Sequence, residues 1–163
     1  MWRLTKEVRD GVQKKILVID DEPMVVKMVG DVLISRGHDV ITASEGYDGL
    51  LKAISEQPDL ILLDVVMPGL DGHDVLKRLK KDERTREIPV VYLSAVGDFS
   101  EQLHAMEDGS TDYITKPIKP SELADKVENY LDPARRAVAA RTAHMKAGKL
   151  RTIVDIMHRE HKD

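Results

Sequence analysis

Ile16-Leu17-Val18-Ile19-Asp20-Asp21 is the stretch on which the reading of this chain turns. An unbroken apolar run, mostly β-branched, leads straight into two acids. A run so short and so uniformly apolar reads as a strand buried on both faces, as in a parallel sheet, and is too short for a helix. Two further stretches behave alike. Leu62-Leu63 leads into Asp64-Val65-Val66-Met67-Pro68-Gly69, and Tyr113-Ile114-Thr115 leads into Lys116-Pro117. In open α/β sheets, ligands bind just beyond the carboxyl ends of the strands. The three stretches therefore bring Asp20, Asp21, Asp64 and Lys116 to one crevice. Carboxylates gathered there repel one another and raise a pKa. A hard cation such as Mg2+, which prefers oxygen ligands, removes the conflict. The lysine then supplies positive charge for an anion bound beside the metal.

Working outward, strand and helix patterns alternate, which predicts βαβ units and a parallel sheet. The first strand spans 15–19. A helix follows with Pro23 in its first turn, an apolar stripe of Val25, Met28, Val29, Val32 and Leu33, and a stop at Gly37. The second strand lies near 39–42. Ser44 reads as the N-cap of a helix that buries Tyr47, Leu50, Leu51 and Ile54 and ends before Pro58. A third strand, 60–63, delivers Asp64. The loop 65–72 is shaped by Pro68, Gly69 and Gly72, and the helix after it, 73–81, turns Val75, Leu76 and Leu79 inward. The charged stretch 80–87 reads as a solvated loop. A fourth strand covers 89–93 and ends at Ser94. A weakly patterned helix near 100–107 follows, with Leu103 and Met106 as its core candidates. The fifth strand is 112–114, and a helix after Pro120 carries Leu123, Val127 and Leu131. Beyond Asp132-Pro133 the alanine- and arginine-rich segment 134–147 reads as helix. Gly148 is expected to break or weaken it. Leu150, Ile153, Val154 and Met157 resume at helical spacing, giving one bent helix or two.

The 163 residues suit one domain plus a modest extension, and 42% hydrophobic content supports a single core. No apolar stretch approaches the ~20 residues of a membrane span, and the N-terminus lacks the apolar centre of a signal peptide. The default expectation is a cytoplasmic protein with no membrane partner. The absence of cysteine excludes disulfides and a cysteine zinc site. Charge is uneven. Residues 15–131 carry 13 basic and 23 acidic side chains, a net of −10. Residues 132–163 carry 8 and 4, a net of +4, and residues 1–14 carry 4 and 2, a net of +2. The acidic centre argues against direct nucleic-acid binding by that surface.

Taken together, the acidic pair, Asp64, Ser94-Ala95 at a strand end, Tyr113 and Lys116-Pro117, in this order and spaced by helices, resemble the receiver domain of two-component response regulators. The resemblance runs from about Lys15 to Leu131. It implies a doubly wound (βα)5 flavodoxin-like fold with a five-stranded parallel sheet in the order 2-1-3-4-5, here followed by a C-terminal helical extension. The implied organisation is an N-terminal extension (1–14), a receiver (15–131), and a helical tail acting as linker or dimerisation element (132–163). By the same resemblance Asp64 is the phosphoacceptor. Asp21, Asp64 and the Val66 backbone carbonyl bind Mg2+ (or Mn2+) directly, and Asp20 acts through bound water. Lys116 and Ser94 contact the phosphoryl group, Ser94 and Tyr113 form the switch, and Pro117 follows a cis peptide bond. The implied phosphodonor is a sensor histidine kinase, a phosphotransfer protein or a small phosphodonor. A homodimer and an output partner are further expectations. Two departures, Ile118 after Lys116-Pro117 and the run Gly109-Ser110-Thr111-Asp112, lie away from the acid pocket and bear on partner choice.

Other readings stay open at this point. A Mg2+-dependent phosphatase with an aspartate nucleophile would use the same residue types, but such enzymes typically carry a second acid two residues on, where Val66 stands. A phosphorylation-independent scaffold would not need the acids. A receiver assists its own phosphorylation and dephosphorylation and is not a multiple-turnover enzyme. His158 and His161 form a helical His-x-x-His pair, two ligands without a third. The alternative for Tyr113 is a half-buried sheet tyrosine. Trp2, Leu4, Val8 and Val12 suit either an amphipathic turn or a frayed end.

Overall fold

The computed structural model describes residues 13–95 and 112–160. Its strands are β1 (Lys15–Ile19), β2 (Asp39–Ala43), β3 (Leu60–Asp64), β4 (Val90–Ala95) and β5 (Asp112–Lys116). They form one parallel sheet in the order β2-β1-β3-β4-β5. Alternation along the strands divides the core. Ile16, Val18, Leu60, Leu62, Val91, Leu93 and Ile114 face one layer, where α1 (Pro23–Ser35) and α4 (Pro120–Leu131) supply Val29, Leu33, Leu123 and Val127. Leu17, Ile19, Ile61, Leu63, Val90 and Tyr92 face the other, where α2 (Gly46–Glu56) and α3 (Gly72–Lys81) supply Ala53, Val75, Leu76 and Leu79. The chain is thus a doubly wound α/β fold of flavodoxin-like type. The helix expected near 100–107 lies outside the described residues, as do Trp2, Leu4, Val8, Val12 and His161.

α1 follows the sequence closely. Pro23 occupies the first turn, where a missing N–H is no loss. The helix stops as expected: Gly37, at φ +90°, donates to the Ile34 carbonyl. α2 departs from its predicted face. Tyr47 and Leu51 are exposed at 57% and 67%, and the buried residues are Gly46, Gly49 and Ala53. The helix packs so near the sheet that a Cβ on Gly49 would lie 2.5 Å from Ile19 Cδ1. Small residues therefore face inward, Leu50 and Ile54 stay half-buried with Leu50 packed on the core, and Tyr47 and Leu51 are pushed to the rim. Nor is Ser44 the cap. Glu45 occupies that position and makes no side-chain capping bond.

The stretch 80–87 is not simply solvated. Thr85 is buried, and its hydroxyl donates to the Leu79 carbonyl at 2.7 Å. The Lys80 ammonium donates to the carbonyls of Arg86 and Ile88 at 3.1 and 3.2 Å. These bonds supply donors to backbone carbonyls at and beyond the end of α3, and burial lowers the Lys80 pKa.

Beyond Asp132, α5 (Pro133–Glu160) runs unbroken through Gly148. A glycine inside a helix costs only about 1 kcal/mol against alanine, too little to break a segment flanked by Ala, Lys, Arg and Leu. The first half of α5 lies against α4. Ala139 packs on the core and Ala143 is 4% exposed. Further along, Leu150 and Val154 are half-buried while Ile153, Ile156 and Met157 are exposed. Among the described residues no helix is long and apolar enough to cross a membrane.

Candidate functional site

The strand order reverses between β1 and β3, and the crevice beyond their carboxyl ends is where such sheets bind ligands. β1 ends at Ile19 and places Asp20 there, fully buried, its N–H donating to the Ala43 carbonyl at 3.1 Å. The Asp20 side chain accepts from the Glu22 N–H at 2.9 Å, which turns the chain into α1. β3 ends on Asp64, 4% exposed, whose Oδ1 lies 3.4 Å from the Val66 N–H. Directly behind it, α3 begins at Gly72, which donates to the Val65 carbonyl at 2.9 Å. A Cβ on Gly72 would collide with the Asp64 carbonyl and sit 2.8 Å from Val65 Cα. Only glycine lets α3 start this close to the acid.

β5 brings Lys116 to the same place from two strands away. Its Nζ lies 3.0 Å from Asp20 Oδ2, 3.4 Å from Asp64 Oδ1 and 2.9 Å from Glu22 Oε1. The Lys116–Pro117 peptide bond is cis. Ser94 pairs in register with Thr115, one residue short of the lysine. Its hydroxyl is buried and has no hydrogen-bond partner among the described residues.

Electrostatics matches the crowding. Burial first, and the Asp20 charge second, push the Asp64 carboxyl up to about 7, against the pull of Lys116. Burial acts to lower the Lys116 pKa, but hydrogen bonds to Glu22 and Asp20, with the Asp20 and Asp64 charges, raise it overall. The ammonium stays charged. Carboxylate oxygens of Asp20, Asp21, Glu22 and Asp64 lie within 4.8 Å of one another. The donor set is entirely hard oxygen and over-rich in negative charge, which is the chemistry a small divalent cation takes.

The structure thus brings together Asp20, Asp21, Asp64 and Lys116, and places Ser94 at the end of β4 beside the β5 strand that carries the lysine. Val66 is 65% exposed beside the acid. Tyr113 is half-buried against the core, its ring 5.1 Å beneath the Lys126 ammonium. His158 is exposed and far along the tail helix. Sequence reasoning missed Glu22. Its only signal was adjacency to the Asp pair, which spacing alone reads as a helix start.

The family profile described as response regulator receiver domain matches residues 16–128. The DNA-binding dual master transcriptional regulator RpaA of Synechocystis sp. is 40% identical over 117 residues, covering 72% of this chain and 48% of that protein. The alkaline phosphatase synthesis transcriptional regulatory protein PhoP of Bacillus subtilis is 41% identical over 133 residues, covering 82% and 54%. The chain therefore spans about half the length of the curated relatives it matches. Among solved structures, the receiver domain of NtrX from Brucella abortus superposes with a TM-score of 0.66 at 36% identity, covering 72% of this chain and 98% of that one. The receiver domain of the Francisella response regulator 1452 gives 0.68 at 31%, covering 73% and 97%.

Proposed function

Because the chain belongs to the response regulator receiver family, we propose that it accepts a phosphoryl group on Asp64 and signals through the change that follows. The observation that supports this most directly is the convergence on one crevice of a buried carboxylate and a lysine 3.4 Å from it, with the unpartnered Ser94 hydroxyl at the end of the next strand. In the reaction, an Asp64 oxygen forms the new P–O bond. The P–N bond of a phosphohistidine breaks, and the donor imidazole keeps the electron pair. Sensor histidine kinases and phosphotransfer proteins are the donors proposed, and small acyl phosphates can serve the same chemistry.

The roles follow from placement. Lys116 is close enough to neutralise the transferred group while its own charge is secured by Asp20. The Ser94 hydroxyl, buried without a partner, is satisfied once it donates to a phosphoryl oxygen. Asp21, Asp64 and the Val66 carbonyl would hold Mg2+ directly, with Asp20 acting through water. The ion, when bound, offsets the carboxylate charge and draws charge from the phosphoryl oxygens. Tyr113, which pairs in register with Tyr92 two residues before Ser94, is the proposed switch aromatic. We take 15–131 as the receiver unit, 1–14 as an extension, and 132–163 as a helical tail that serves as a linker or dimer element toward an output partner.

The phosphatase reading lacks a supporting observation, since the position two residues beyond Asp64 is the exposed, apolar Val66. The test is labelling with acetyl phosphate and Mg2+. One phosphoryl group per chain is expected on Asp64, none in Asp64→Asn, and no sustained release of phosphate. Labelling of Asp64→Asn at the wild-type level, or release of many phosphates per chain, would sink the proposal.

A further inference from the structure

The acid pocket holds one carboxylate that the proposed reaction does not use. Glu22 stands at the N-cap of α1, where side-chain oxygens ordinarily accept from the first helical N–H groups. Its side chain makes no such bond. It reaches across to β5 instead, placing Oε1 2.9 Å from Lys116 Nζ, nearer than the Asp64 oxygen at 3.4 Å. The three acids around this lysine are not alike. Asp20 and Asp64 are buried and take backbone N–H groups at 2.9 and 3.4 Å. The Glu22 side chain is 60% exposed.

We propose that Glu22 is a releasable positioning residue, a latch that occupies the Lys116 ammonium until a phosphoryl group on Asp64 displaces it. The inference rests on Asp64 being the phosphoacceptor. An ammonium has three protons to donate, and in this structure three carboxylates surround it. A phosphoryl group adds acceptor oxygens and up to about two negative charges. Esterified Asp64 is no longer a carboxylate, and the phosphoryl oxygens that take its place bring more negative charge to an ammonium still held by Asp20 and Glu22. Of these two, buried Asp20 cannot return to water, whereas Glu22 can, at little loss, because exposed ion pairs contribute little. Once displaced, Glu22 faces the new anion as a like charge. It therefore favours the unphosphorylated protein and opposes the phosphorylated one.

Glu22→Gln keeps the length of the side chain and removes the charge. At saturating Mg2+, labelling by acetyl phosphate should become about three- to tenfold faster, the range expected from losing one partly screened charge contact. A second readout separates the latch from a simple role in starting α1. The change in Tm caused by Glu22→Gln should be more favourable by about 2–4 °C with Mg2+ and beryllofluoride than with Mg2+ alone. Equal Tm changes in the two states would overturn the latch, as would a labelling rate at or below wild type. A wild-type protein that is not labelled at Asp64 would remove the phosphoacceptor assignment and the latch together. A labelled wild type with an unaccelerated variant removes the latch alone.

Discussion

Replacing Asp64 by asparagine should stabilise the metal-free protein, and the gain should grow with pH. The folded state pushes this carboxyl up to about 7, through burial first and the Asp20 charge second, whereas an unfolded chain leaves it near ~3.9. The folded value is the higher one, so the folded state binds the proton more tightly. Below about pH 4 both states are protonated and the site carries no penalty. As pH rises from about 4 to 7 only the folded state keeps its proton, and stability falls. Above about pH 7 the penalty is complete, roughly three pH units at ~1.4 kcal/mol each, or about 4 kcal/mol. Lys116 loses a partner at 3.4 Å in the variant, so about half of this, ~2 kcal/mol, should be recovered at pH 8. That corresponds to a Tm increase of about 4–8 °C for a chain of this size. Urea unfolding followed by far-UV circular dichroism in EDTA, at pH 4.5 and pH 8, measures it. A gain of equal size at both pH values, or a loss at pH 8, would refute the reasoning. Saturating Mg2+ should stabilise the wild type and shrink the difference.

Gly72→Ala should lower stability by about 1–3 kcal/mol, because the added Cβ meets backbone and not a flexible side chain; urea unfolding checks this, and slower labelling of Asp64 should accompany it. Tyr130→Phe removes a hydroxyl that donates to Asp112 Oδ2 at 2.8 Å and should destabilise by about 1 kcal/mol in the same assay. Val66→Asn should speed loss of the phosphoryl group, since a polar side chain beside Asp64 can orient a water where valine cannot; a phosphate-release time course equal to wild type would count against this. Removing residues 134–163 should leave a folded chain that is still labelled, with reduced self-association in sedimentation; a truncated chain that fails to fold would make the tail part of the core.

The sheet and most of the pocket were readable because three of the strands are short apolar runs that lead directly into the pocket residues. Ile16–Ile19, Leu60–Leu63 and Tyr113–Thr115 point Asp20, Asp64 and Lys116 the same way for one reason, the parallel direction of the strands. α2 was misread for a different reason. Periodicity weighs large apolar side chains, but the close approach of Gly49 to Ile19 selects small ones, so Tyr47 and Leu51 were assigned to a face they cannot occupy. Glu22 escaped because spacing does not encode whether an N-cap side chain folds back on its helix or reaches across to Lys116. Gly148 was overweighted, since one glycine is a small perturbation in a long helix. The buried Thr85 hid in a run of charges, and only the three-dimensional path of the chain reveals the carbonyl of Leu79 that it serves.

The unbroken passage of α5 through Gly148 has a mechanical consequence. Twenty-eight residues in one helix make a rod about 42 Å long at ~1.5 Å per residue. Its root, Pro133, follows α4 after a single residue, and α4 in turn shares its hydrogen bonds with β5 through the Tyr130 hydroxyl and the Lys126 ammonium on Asp112. A tilt of only about 10° of α4 and the rod together would sweep the far end through about 7 Å, more than one helical pitch. A break at Gly148 would have dissipated such a displacement halfway. An unbroken rod would instead carry it whole, from the half packed on α4 through Ala139 and Ala143 to the far half where Ile153, Ile156 and Met157 are exposed.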